Sequence, residues 1–103
     1  MIIYNITCSM DPDISEGWLK WMKEFHIPDV MQCGIFQTAK INKVISEKEE
    51  ISTYAIQYSC HTMKDLHKYQ AHFANKLQKE HAKRYGNKVD TFRTLLEVID
   101  SFE

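Results

Sequence analysis

The sequence predicts an α+β fold with elements in the order β-α-β-β-α-β, and three observations carry that prediction. Residues 2–10, 35–45 and 52–60 alternate large apolar side chains with smaller or more polar ones, the period-two signature of strands. Ile14, Trp18, Trp21, Met22 and Phe25 fall within an arc of roughly 100° at helical spacing, with Glu16, Lys20, Lys23 and Glu24 opposite. Thr62, with Asp65 three residues on, opens a second helix that runs to about Tyr85, where Gly86-Asn87 stops it. With a last strand over residues 88–98, the order is that of a split βαβ, or ferredoxin-like, arrangement: a four-stranded antiparallel sheet with two helices on one face.

The first strand points Ile2, Tyr4, Ile6, Cys8 and Met10 one way and Ile3, Asn5, Thr7 and Ser9 the other. Two readings of the first helix start are equally good chemistry: Asp13 with Glu16 as a capping box, or Asp11 ahead of Pro12. Pro28 biases Ile27 away from helical geometry, so the helix is expected to break near His26. A short second turn over residues 28–33 then ends at Gly34. Residues 35–45 and 52–60 form a hairpin joined by a charged, solvent-facing loop at 46–50, and a short polar tail follows the last strand. The tryptophan stripe is expected to be core, packed on the sheet face of Tyr4, Ile6, Tyr54, Ile56 and Tyr58.

A chain of 103 residues with 44% hydrophobic and 26% charged residues is one globular domain, residues 1–103. Its net charge of −1 supplies no general attraction to nucleic acid or anionic lipid. The charge is uneven: residues 61–88 hold six Lys and Arg84 against Asp65 and Glu80, whereas residues 11–29 are acidic. Two oppositely charged solvated helix faces account for this. Three cysteines without C-x-x-C spacing fit neither a disulfide framework nor a zinc site and suit a reducing compartment. The first ten residues read as a strand and not a signal peptide, no apolar run reaches the ~20 residues of a membrane span, and the expected location is cytoplasmic.

Five histidines raise the question of a metal, but no His-x-x-x-His pair exists and the spacing supports none. Ile3-Tyr4-Asn5-Ile6 echoes the first strand of RNA-recognition domains. The third strand nevertheless lacks their basic residue and glycine, and its aromatics lie four apart instead of two, so nucleic acid is not an expected partner.

The chemistry that remains sits at the ends of the helices. The buried line of the second helix, Leu66, Phe73, Ala74 and Leu77, continues into His81 and Arg84, with Glu80 beside them. These face a pocket, a dimer interface or solvent. His26 lies at the edge of the first apolar arc, before the proline corner. Candidate ligand-binding residues are therefore His26, Tyr58, His81, Arg84 and Arg93. A buried Arg84 would require a carboxylate such as Glu80, carbonyls or an anion beside it. No catalytic set and no cofactor is assigned.

The combination IIYN, WLKWMKEFHIPDV, YAIQY, EHAKRYG and FRTLLE resembles a family of small bacterial proteins of unknown function, over nearly the whole chain. That family is similar to the ferredoxin-like, dimeric α/β-barrel group. The resemblance implies a homodimer with a small-molecule pocket between helices and sheet. Some members of the group are cofactor-independent monooxygenases or haem-degrading enzymes that use Asn, Trp and His, and Asn5 matches a first-strand Asn of theirs loosely. Two functions follow. One is a homodimeric cytoplasmic module that holds a small ligand; the other is a small monooxygenase- or isomerase-like enzyme acting on a hydrophobic or anionic substrate. The dimer is expected to form through the helix-free face of Ile3, Asn5, Thr7, Ala55, Gln57 and Ser59, joined by Phe36 or Phe92.

Overall fold

The structure, a computed structural model, describes residues 1–47 and 50–103. Of the connection expected at 46–50, residues 48 and 49 lie outside the described residues. Strands β1 (Ile2–Met10), β2 (Thr38–Lys43), β3 (Ser52–Cys60) and β4 (Val89–Glu97) form one antiparallel sheet in the order β2-β3-β1-β4. Helices α1 (Pro12–Trp21) and α2 (Ile27–Gln32) come from the first crossover, α3 (Met63–His72) and α4 (Ala74–Tyr85) from the second. The ferredoxin-like order and the four-stranded sheet stand as the sequence predicts.

Both helix starts follow side-chain-to-amide chemistry. Asp11 is the cap of α1, accepting from the Asp13 amide at 2.9 Å with Pro12 in the first turn. Thr62 caps α3 by accepting from Asp65 N–H at 3.2 Å. Gly86, at φ +57°, ends α4 in a conformation that side-chain-bearing residues rarely adopt.

Two departures from straight helices shape everything above the sheet. The break expected near His26 does not occur. Instead Met22–His26 form a π-helical turn that joins α1 to α2, with Ile27 fully helical at φ −62°, ψ −45° and its N–H bonded to the Met22 carbonyl. Proline has no N–H and its ring would meet the carbonyl four residues back; widening the preceding turn relieves that clash without ending the helix. The extra residue rotates Phe25 out of the apolar stripe, so it is 56% exposed instead of buried, and turns His26 inward. The second helix likewise is not one rod. Phe73, at φ −127°, ψ −37°, divides α3 from α4.

The core lies between the helices and the face carrying Ile2, Tyr4, Cys8, Met10, Tyr54, Ile56, Tyr58 and Cys60. Trp18 has no exposed surface and packs on Tyr54 at 5.3 Å between ring centroids. Trp21, expected in the core as well, is half-buried at the seam between helices. Leu66, Ala74 and Leu77 are buried as the helical spacing predicts, and Tyr69 joins them. Phe36 is core, stacked among Tyr4, Tyr58 and Tyr69. The opposite face carries Ile3, Asn5, Thr7 and Ser9, and the register places Phe92 opposite Thr7 and Leu96 opposite Ile3 on that same open face. The tail is less polar in effect than expected, since Ile99 and Phe102 are largely exposed.

Because the Trp18 ring is fully enclosed, Trp18→Ala is expected to cost about 3–5 kcal/mol, within the usual range for a large aromatic removed from a core. Trp21→Ala should cost distinctly less. Urea unfolding of both variants checks the order; equal midpoints would contradict the assignment of Trp18 as the deeper of the two.

Candidate functional site

The five candidates separate into two neighbouring groups. The first is a seam of rings between the π turn and α4. The indole Nε1 of Trp18 donates to Nε2 of His81 at 3.0 Å. An indole N–H can only donate, so Nε2 of His81 must hold a lone pair and its proton sits on Nδ1. His26 stacks on Trp21 at 5.2 Å, a contact between residues five apart that the π turn creates. His26 also meets His81 edge-on at 5.8 Å, and Tyr85 closes the cluster at 5.3 Å from His81.

Both imidazoles are held uncharged. Burial, then the neighbouring His81, pushes the pKa of His26 down to about 4, with Asp29 opposing. Burial and the Arg93 charge lower that of His81. His26 Nδ1 is enclosed and has no hydrogen-bond partner among the described residues. Arg84 does not enter the seam. Its side chain is exposed and lies over the rings of Trp21 and Tyr85, with Cζ 5.4 and 5.9 Å from their centroids. Among the described residues Glu80 makes no ion pair with it.

The second group lies on the helix side of the sheet, along β1, β3 and β4. Arg93 pairs across from Ile6, on the helix side of β4, and its Nε donates to the Tyr4 hydroxyl at 3.0 Å. Tyr4 sits 6.3 Å from Tyr58 and 6.1 Å from Tyr69, ring to ring. The Tyr58 hydroxyl is buried without a hydrogen-bond partner among the described residues. Burial raises the pKa of Tyr58 and of Tyr69, and brings the Cys8 thiol up to about 11. Cys8, Tyr58 and Tyr69 thus keep their protons at neutral pH.

The structure brings His26 to His81 and Arg93 to the tyrosines, and it leaves Arg84 on the surface. The seam is packed; the open grooves lie elsewhere, such as the 270 Å³ hollow along Asp29, Cys33, His72 and Phe73. Tyr69 and Tyr85 belong to these groups and were not singled out from the sequence. The spacing signal existed, since Tyr69 follows Leu66 by three and Tyr85 follows His81 by four. Among the described residues no three of His, Cys, Asp and Glu converge as metal ligands.

Residues 1–99 match the family described as Domain of unknown function (DUF4286), and the chain belongs to that family. No curated protein matches the chain. Among solved structures, a dimeric ferredoxin-like protein from an uncultured marine organism is 14% identical, with 100% of this chain and 99% of that one covered at a TM-score of 0.73. A candidate antibiotic biosynthesis monooxygenase from Deinococcus radiodurans is 13% identical over 100% and 97% of the two chains, TM-score 0.71. An ethyl tert-butyl ether d (EthD) family protein from Bacillus halodurans is 12% identical over 96% and 100%, TM-score 0.69. At these identities the likeness establishes the fold.

The neutral imidazoles make stability pH-dependent in a definite direction. A histidine whose folded pKa lies below its unfolded value favours the unfolded state once that state takes up the proton. Stability is therefore full above about pH 6.5 and falls as pH drops toward 4, by on the order of 3 kcal/mol for His26 alone. His26→Phe should flatten this slope, read as the urea midpoint between pH 7 and 4. An unchanged slope would show that His26 titrates freely in the folded protein.

Proposed function

We propose that this member of the DUF4286 family is a homodimeric binding module: two copies pack through their open sheet faces, and each holds a small molecule between its helices and β4. The observation that carries the dimer is the composition of that face. Ile3, Phe92 and Leu96 form an apolar strip along β1 and β4, and Phe92 is 68% exposed in the single chain. The polar residues around the strip satisfy one another locally: Asn5 donates to Thr7, Ser9 bonds Thr53, and Asn42 donates to the Ala55 carbonyl. Short side chains bonded within the sheet leave a flat surface that a two-fold axis can match to itself. The dimeric ferredoxin-like neighbour supports this reading at the level of the fold.

Binding is favoured over catalysis by the state of the seam. A neutral imidazole can accept a proton, but the Nδ1 of His26 is enclosed, and a substrate reaches it only if the helices part. Arg93, by contrast, stands at an accessible position with most of its donors free. No described helix is long and apolar enough to cross a membrane. The three free cysteines fit a reducing compartment, and we place the protein in the cytoplasm.

Phe92→Asp is expected to convert the dimer to a monomer of 12.2 kDa while leaving the circular dichroism spectrum unchanged. Light scattering at high micromolar concentration decides it. A parent protein that scatters as a monomer throughout would overturn the dimer.

A further inference from the structure

We propose that the helix side of β4 is a binding site for a small organic carboxylate, its anion held by Arg93 and Tyr4 and its apolar body lying against Leu95. The proposal rests on the reading above that a small molecule sits between helices and β4, and it names the chemistry of that molecule.

The register places Val89, Thr91, Arg93, Leu95 and Glu97 on the helix side of β4. Only Val89 is buried; the helices leave the remainder of that strand face open to solvent, and Leu95 is 46% exposed. The result is a shelf beside the helix layer, floored by one strand. Arg93 stands in its middle. A guanidinium carries five N–H donors and is always charged. Here one is used, on the Tyr4 hydroxyl. Among the described residues no carboxylate pairs with Arg93, and Glu97, further along the same face, makes no bond to it.

The side chains that feel the Arg93 charge, Cys8, Tyr69 and His81, carry no negative charge to pair with it. The Cys8 thiol and the phenols of Tyr58 and Tyr69 keep their protons because burial disfavours their anions. His81, with Nε2 occupied by Trp18, offers only an N–H. A guanidinium with four unused donors and no carboxylate paired to it is complementary to an anion with several acceptor lone pairs. One cation matches one negative charge, and a planar fork matches a carboxylate. The exposed Leu95 two residues along adds apolar surface, which selects an anion with an organic body over an inorganic one.

The test is titration of the isotope-labelled full chain with benzoate, octanoate, benzamide and phosphate at constant ionic strength, followed by NMR. Benzoate or octanoate should move the Arg93 Nε–H and the amides of residues 91–95 saturably, and benzamide and phosphate should bind at least about ten-fold more weakly. Arg93→Gln should abolish carboxylate binding, Arg93→Lys should retain part of it, and Tyr4→Phe should weaken it severalfold, each with an unchanged amide spectrum elsewhere. Benzamide shifting the same residues as strongly as benzoate would overturn the ligand class while leaving the shelf as a binding site. Silence of those residues toward all four probes would overturn both. Undiminished benzoate binding by a folded Arg93→Gln protein would remove Arg93 from the site.

Discussion

The hydrogen bond from Trp18 to His81 is the constraint on which the upper half of the molecule depends. It joins α1 to α4 across their seam and fixes the tautomer of His81. Both partners have little alternative. The indole is fully enclosed, so loss of its acceptor would leave a buried N–H unpaired, at a cost of about 1–3 kcal/mol. The imidazole can accept only while uncharged. A single proton therefore separates a satisfied seam from one with two opposed donors. The π turn serves the same contact, because it brings His26 against Trp21 and His81 and fills the space beside the bond with rings.

Charge in this fold is confined to places where it costs little. Arg84 spreads its guanidinium over two aromatic faces at the surface, where water still reaches it. Arg93 remains at an uncovered strand with a phenol as its hydrogen-bond acceptor. Between them lie neutral buried groups: two imidazoles, the phenols of Tyr58 and Tyr69, and the Cys8 thiol. Such an interior tolerates no anion unless it arrives with its own counter-charge nearby, and Arg93 is the group that would supply it.

Much of the architecture was legible because it rests on periodicities that tertiary packing does not override. Alternation along residues 2–10 and 52–60 placed Tyr4, Tyr54, Ile56 and Tyr58 on the buried face correctly, and the caps at Asp11 and Thr62 follow from local chemistry. The misplaced residues of the first helix share one cause. Assigning residues to helix faces assumes a uniform turn, and both helical runs depart from it, at Met22–His26 and at Phe73. One inserted residue moved Phe25 to solvent and His26 inward. Pro28 inside an amphipathic pattern was the available signal, although it points equally to a break or to a widened turn. The site was legible as residue types and not as groupings. His81 and Arg84 lie three apart on one helix line, yet one is locked by an indole and the other stacks outside.

Strand β4 is held by a single neighbour and is covered on neither face along most of its length. Consecutive residues look in opposite directions: Phe92 and Leu96 toward the open side, Arg93 and Leu95 toward the helices. A strand so placed has its main rigidity from pairing with β1, and anything that orders it from one side reduces the entropy still to be lost when something binds the other. Contact on the Phe92 side and occupancy on the Arg93 side would then be positively cooperative through one nine-residue strand, with no change in its shape. Linkage requires this influence to run equally in both directions.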